Sequence, residues 1–574
     1  MVSNCRKSLF FKLGSCIVFV AAAMAMTSAR ALDSIYKNGH IFTMDSKRSW
    51  AQAIAVESGV IVAVGPDREV LKLATKETAV IDLAGQTMLP GFHDLHVHPL
   101  FAGISHFRCV VQEGADLQSA LNSIEKCAKN KTQGQWITGR QWDVPALGVV
   151  PHRRMLDKIV PDIPIMLRDT SGHSAWVNSK ALQLAGIGTA PIELEGGIVE
   201  RDPNGQPTGI LREEAIDLVE KIIPKPDAET IDKAMLWALD QMLGYGITSL
   251  TEASGGFVAG PYAELEAYAR LADEDKLKQR ARICTTWMPQ SEEIELAISM
   301  RNQFARDRVR TDCIKIHLDG VPTDSHTAAM LEPYSGQVEG RQDEASKKGL
   351  LLLEKEMVNQ AVTRFDRMGL TVKFHAAGDA AVRTGLRAIG AARKANGYTG
   401  VMHDVGHCTF VAKDDMAYGA QIGATFEVSP YLWSPSPINE SISNAIGDKR
   451  IERVWPVREL VDSGALVVPG SDWSVVPSAN PWVAIESLVT RERPGGSDDS
   501  FGKKQAIGLI EALELFTVNS ARHSGRSHQL GSIEVGMLAD LVVVDKNPFE
   551  IPVNKLHRVH VTQTIINGQR VYVR

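Results

Sequence analysis

The 574-residue chain has only seven cysteines and no C-x-x-C pair, which excludes a zinc ribbon and a thioredoxin-type redox motif. It has no internal repeat and no long low-complexity tract, so neither a solenoid nor a disordered scaffold fits. It also lacks a surplus of positive charge. Against 62 Lys and Arg stand 68 Asp and Glu, a net charge of −6, with both signs spread along the chain. A phosphate-binding surface needs a concentrated basic stripe, so nucleic acid is not an expected partner. Outside the first 31 residues there is no long uncharged apolar run. What remains is an ordinary globular composition, 44% hydrophobic and 23% charged, on a chain long enough for two or more structural units.

Residues 1–31 differ from the rest. Arg6, Lys7 and Lys12 precede an uncharged apolar run over residues 13–26, and Ala29-Arg30-Ala31 offers small residues at −3 and −1 of a cleavage site. This is the layout of a secretory signal peptide, which predicts a periplasmic or secreted protein with no stable membrane insertion after cleavage. The run falls short of the roughly 20 residues that span a bilayer, and an uncleaved anchor is the alternative. In an oxidising compartment, Cys109 and Cys127 either pair across a short loop or remain two separate buried thiols. Cys284, Cys313 and Cys408 lie in strand-like runs and read as small core residues.

Residues 32–87 show short alternating runs punctuated by glycine, among them Ala53-Ile54-Ala55-Val56 and Val60-Ile61-Val62-Ala63-Val64. Residues 521–574 read likewise, with a strand at Leu541-Val542-Val543-Val544 and a hairpin through Asn567-Gly568. Each end is too small to bury its own face, so together they are predicted to form one small β-sandwich. In between, apolar runs ending in polar residues alternate with helical patterns. The runs start near Met88, Ile247, Ala281, Cys313, Thr371, Asp404, Ala424 and Ala465. Eight such β-then-α units favour an α/β fold with a closed (β/α)8 TIM-like barrel. The first strand is placed at 88–99 and the rest of the barrel at 236–520. The long interval between, 100–235, is read as an inserted subdomain over the barrel mouth.

Polar residues gather at the C-terminal ends of these strands, where barrel enzymes place their reactive groups. His96 and His98 are two apart on a strand, so both imidazoles face the same side. Lys315 lies on the fourth strand, His375 ends the fifth, His407 ends the sixth and Asp472 follows the eighth. Taken singly, each histidine reads equally well as a core residue, and Lys315 as a strand lysine snorkelling outward. Taken in order, they make a ligand set suited to Zn²⁺ or a similar divalent cation.

The segments Leu89-Pro90-Gly91-Phe92-His93-Asp94-Leu95-His96-Val97-His98, Ile314-Lys315-Ile316-His317-Leu318-Asp319-Gly320, His375-Ala376-Ala377-Gly378-Asp379, Val405-Gly406-His407 and Gly470-Ser471-Asp472-Trp473 resemble the amidohydrolase superfamily. The match is to its amidohydrolase-3 branch, which includes enzymes of the N-substituted formamide deformylase type. The insertion fits through Leu167-Arg168-Asp169-Thr170-Ser171-Gly172-His173, and the closing Gly531–Leu541 stretch fits as well.

The resemblance implies that His96 and His98 bind one metal ion and that His375 and His407 bind a second, where one is present. Lys315 would bridge them as a carbamate, since a free ammonium cannot ligate a cation. Asp472 would bind the first ion and accept a proton from the attacking water. His173 becomes a candidate contact to the substrate carbonyl, with a structural loop histidine as the alternative. Trp142 and Trp473 are either pocket walls or plain packing. His317 stands where the branch usually has an apolar residue, and His326 where many relatives carry Arg. Either one points to altered substrate contacts or to a further imidazole competing for metal. The expected activity is hydrolysis of a C–N bond in an amide, formamide or cyclic amide. An ester, carbamate or lactone hydrolase, and a non-catalytic metal-binding regulatory periplasmic protein, remain as alternatives. The partner is a small-molecule substrate, and self-association as a homo-oligomer is left open.

Overall fold

A computed structural model describes residues 32–574 apart from 113, 130, 132–133, 143, 170–173, 193–196, 214, 257, 324–325, 336–345, 434 and 477. The signal-peptide segment and His173 therefore lie outside the described residues. Among those described, no helix is long and apolar enough to cross a membrane.

Eight parallel strands form one sheet in chain order: β1 Phe92–Val97, β2 Ile247–Gly255, β3 Arg280–Thr286, β4 Val309–His317, β5 Thr371–Ala376, β6 Asp404–His407, β7 Thr425–Val428 and β8 Leu466–Pro469. Their near-continuous apolar character follows from burial on both faces, inward against the barrel interior and outward against helices. The chain segment after β8 closes the sheet on itself. Asp472 N–H donates to the His96 carbonyl at 2.7 Å, and His98 N–H donates to the Trp473 carbonyl at 2.8 Å. The α/β barrel expected from the alternating pattern is thus the fold.

The helices expected over 228–245 and 354–368 are Ala228–Gly244 and Lys355–Arg367. Asp227 caps the former by accepting from Thr230 N–H at 2.9 Å, which satisfies one of the unpaired donors of the first turn. Gly246, with φ +78°, ends the segment and turns the chain into β2.

Both chain ends build the sandwich. One sheet holds Ser34–Lys37, Ala53–Glu57, Val60–Gly65 and Ala79–Asp82. The other orders Gln569–Val573, Val561–Ile566, Leu541–Val544, Thr87–Pro90, His40–Phe42 and Trp50–Ala51. The Asn567-Gly568 hairpin is present, with both residues at positive φ, 50° and 73°. Tyr36, Ile54, Val56, Ile61, Met88, Leu541 and Val543 share one apolar core between the sheets.

Two boundaries differ from the sequence reading. Thr87–Pro90 pairs with Leu541–Val544 in the sandwich, so the barrel strand begins only at Phe92. The helix Pro99–Phe107 packs on Ala228–Gly244 as part of the barrel's core, so the inserted body is narrower than 100–235. That body is a six-stranded mixed sheet running from Cys109–Val110 to Pro207–Glu213, with apolar clusters of its own.

Of the cysteines, Cys109 and Cys127 are joined as a disulfide. Cys284 and Cys313 are core residues, as read from the sequence, but their pairing was not foreseen. They face each other in register on β3 and β4 and form a second disulfide. Their separation of 29 residues gives no hint of that register. Cys408 is a buried free thiol.

Candidate functional site

β1 carries Asp94 and His96 on one face, alternate residues of a strand pointing the same way, and His98 follows directly after its last residue. Asp94 ties the strand to the segment after β8, accepting from Ser471 N–H at 2.9 Å and from His96 N–H at 3.2 Å. That tie and the two closing backbone bonds bring Asp472 over the histidines. His98 Nε2 lies 3.2 Å and His96 Nε2 3.5 Å from Asp472 Oδ1. Ligand atoms of these three residues all fall within 4.8 Å of one another.

The remaining predicted ligands line the other side of the same cavity. Lys315 Nζ is 3.4 Å from His96 Nε2. The His407 ring stands 4.8 Å from that of His96 and 4.3 Å from that of His375, and His407 Nδ1 is 4.0 Å from Asp472 Oδ2. His375 points Nε2 at the Gly320 carbonyl, 3.0 Å away, which leaves Nδ1 as the ring nitrogen not engaged by that carbonyl. Asp319 shapes this corner by accepting backbone N–H groups of Ala329, Ala377 and Gly378.

Two of these residues hold backbone conformations that L-residues rarely adopt, His407 at φ +70° and Asp472 at φ +59°. Each such conformation costs on the order of 1–3 kcal/mol and persists only where the surroundings impose it, as they do at functional sites.

The electrostatics suit a cation. Burial, joined by the charge of Lys315, holds His96 well below the usual histidine value, so it is neutral as a ligand must be. Burial likewise brings His375 down to about 4 and His407 well below its ordinary value. His98 is the exception. Burial opposes its charged form, but hydrogen bonds to Asp472 and Glu252 outweigh that and lift it to about 9. The space between Asp472 and Glu252 therefore stabilises positive charge. His407 Nε2 is buried with no hydrogen-bond partner, which leaves a ring nitrogen of this residue unused by the protein. The neutral imidazoles of His96, His375 and His407 and the carboxylate of Asp472 fit a divalent metal of the zinc type, and such a cation would replace the proton that His98 otherwise holds.

The other sequence candidates fall in different places. His317 ends β4, half-buried, its ring 5.6 Å from His375, and burial drives it down to about 2. His326 is buried in the loop after β4 at φ +50°, stacked on Tyr334 at 4.3 Å. Trp473 follows Asp472 and packs on Trp237 at 5.7 Å. Trp142 sits in the core of the insertion, its indole N–H donated to the Leu167 carbonyl at 2.7 Å, which is a packing role. Sequence reasoning missed Glu427 and Glu252, the carboxylates behind His96 and His98 at 2.6 and 3.4 Å. The available signal was an acidic residue inside the apolar runs Ala424-Thr425-Phe426-Glu427-Val428 and Ile247-Thr248-Ser249-Leu250-Thr251-Glu252.

Comparison with known proteins places this architecture. The chain is 29% identical to the N-substituted formamide deformylase of Arthrobacter pascens, over 96% of this chain and 99% of that protein. It is 27% identical to the Protein LONG AFTER FAR-RED 3 of Arabidopsis thaliana, over 94% of this chain and 91% of that one. A solved structure, an uncharacterized metal-dependent hydrolase from Pyrococcus horikoshii, superposes with a TM-score of 0.74 at 23% identity. That alignment covers 91% of this chain and 99% of the other, and supports the fold. The profile of the amidohydrolase family matches residues 79–572, from the last strand of the first sandwich sheet to the penultimate residues of the second. With its barrel, its end-built sandwich and its ordered histidines, the chain belongs to the amidohydrolase family.

Proposed function

We propose that the protein hydrolyses the C–N bond of an amide, formamide or cyclic amide, with water as nucleophile. The observation that carries this reading is the position of Asp472, with one carboxylate oxygen 3.2 Å from His98 Nε2 and the other 4.0 Å from His407 Nδ1. A carboxylate so placed reaches both the water and the leaving group at the barrel mouth. The full-length similarity to an N-substituted formamide deformylase supports a C–N bond as the target.

His96, His98 and Asp472 would hold a divalent cation, with zinc the best match to their chemistry. His375 and His407 would hold a second, if Lys315 carries a carbamate facing both. Such a cation supplies Lewis-acid polarisation of the water and the scissile carbonyl. Asp472 takes the proton from the attacking water and returns it to the departing nitrogen, a general base that becomes a general acid. His96, held neutral by burial and Lys315, keeps Nε2 available toward the same point. The site is itself buried, with His96 1% and Asp472 8% exposed, which limits the access of bulk water to this exchange. The protein works in the periplasm or outside the cell, on the strength of residues 1–31, and N-terminal sequencing of the mature protein tests that placement.

The deciding experiment pairs metal analysis with Asp472→Asn, assayed on a panel of N-substituted formamides, lactams and matched esters. We expect stoichiometric divalent metal, loss of turnover on chelation, and a drop in kcat of about 10²–10⁴-fold in the variant. Turnover that survives the substitution removes Asp472 from the mechanism. Cleavage of the esters but not the amides moves the substrate class to esters. An intact-mass increment of one CO₂ on Lys315 tests the carbamate.

A further inference from the structure

A layer of charged side chains lies directly beneath the ligands, where a barrel interior is ordinarily filled by branched apolar residues. Lys373 on β5, Asp404 on β6 and Glu427 on β7 are all buried, their side chains at most 1% exposed. Lys373 Nζ stands 2.6 Å from Asp404 Oδ1 and 3.7 Å from Glu427 Oε2. His523 closes the far end, Nε2 3.2 Å from Asp404 Oδ2. At the near end, Glu427 Oε2 is 2.6 Å from His96 Nδ1. Polar side chains thus run from the back of His96 through Glu427 and Lys373 to Asp404, with His523 beside it.

The backbone is cut back to admit this carboxylate. A Cβ on Gly406 of β6 would fall 2.6 Å from Glu427 Oε2. One on Gly470, just past β8, would fall 2.6 Å from Glu427 Oε1 and 2.2 Å from His96 Cβ. Glycine on both neighbours is what lets the carboxylate and the imidazole meet. Burying such ions costs several kcal/mol each, and apolar side chains of equal volume would fill the layer without that cost. The arrangement is therefore better explained by geometry it holds than by stability it adds.

An imidazole that ligates through Nε2 carries its proton on Nδ1, and a carboxylate against Nδ1 fixes both tautomer and ring orientation. We propose that Glu427, held by Lys373, which Asp404 anchors in turn, is the positioning residue that locks His96 with Nε2 toward Asp472. This rests on the reading of His96 as a metal ligand. Lys373 holds the carboxylate from below, and the absence of a Cβ on Gly406 and Gly470 leaves room for it beside His96.

The test is zinc affinity, measured on the full, metal-stripped chain by competition with a chromophoric chelator, alongside the melting temperature. Glu427→Gln is expected to weaken zinc binding about 10-fold and Glu427→Leu up to about 100-fold, the range for loss of a ligand's outer partner. Asp366→Asn, in the separate buried cluster with His403 and Arg393, should lower the melting temperature and leave zinc affinity unchanged. If Glu427→Leu does not fold, Glu427→Gln decides. A folded Glu427→Gln whose affinity stays within twofold of the native chain overturns the proposal. His96→Ala, run in parallel, separates the premises. Unchanged zinc affinity in His96→Ala defeats the metal reading itself, whereas loss there with native affinity in the Glu427 variants defeats only this inference.

Discussion

His93 lies on the face of β1 opposite His96, fully buried near Asp540, Arg280 and Arg526. Burial, aided by the two arginines against Asp540, brings its pKa down to about 4. In the unfolded chain the value is about 6.5, so between the two the unfolded state binds a proton that the folded state refuses. Stability is therefore complete above about pH 6.5 and is lost as the pH falls toward 4, by at most about 3 kcal/mol from this group. Urea unfolding at pH 7 and pH 5 should show a shallower pH dependence in His93→Asn than in the native chain. Equal slopes would show that His93 is not the group responsible. At this scale the sequence was only half readable. His96, His98 and Asp472 stand out because polar residues at the ends of apolar strands are conspicuous. Glu427 does not, since its partner is 331 residues away and only the closed barrel makes them neighbours.

Between elements, a close approach joins the helix after β1 to the helix before β2. A Cβ on Gly103 would come within 2.0 Å of the Ala234 carbonyl, so the two axes can be this near only with glycine there. Gly103→Ala must push Pro99–Phe107 off its partner, at about 1–3 kcal/mol, the usual cost of overpacking. A melting temperature unchanged by the substitution would mean that the helices slide without loss. The barrel strands were legible because doubly buried parallel strands read as unbroken apolar runs. The switch from sandwich to barrel at Gly91 was hidden by the same property. Met88-Leu89-Pro90-Gly91-Phe92 runs on without a polar break, yet Gly91 N–H already pairs with the Asp540 carbonyl while Phe92 N–H pairs with that of Gly246. The disulfide between β3 and β4 escaped for a related reason, because register is a property of the pair and not of either strand.

For the whole molecule, one ion pair couples the base of the barrel to the C-terminal sandwich. Arg280, at the start of β3, meets Asp540 at 2.7 Å, with side chains only 7% and 2% exposed. Asp540 Oδ1 also accepts the N–H of Asn567 in the hairpin turn at 2.8 Å. Asp540→Ala leaves a buried guanidinium uncompensated, an expected loss of about 3–5 kcal/mol. Denaturant titration checks it, and a loss below 1 kcal/mol would mean that water or Asn567 replaces the carboxylate.

The barrel's seam has a consequence for how the protein comes into being. His96 and His98 lie on one lip of the seam and Asp472 on the other, and the backbone bonds that zip the lips are made by His96, His98, Asp472 and Trp473 themselves. Completing the cylinder and completing the site are one event. During synthesis the first lip is made hundreds of residues before the second, so this contact is among the most distant in sequence that the chain must form. A partly made chain can hold neither the reactive geometry nor a half-strength version of it. The site exists only once the barrel has closed.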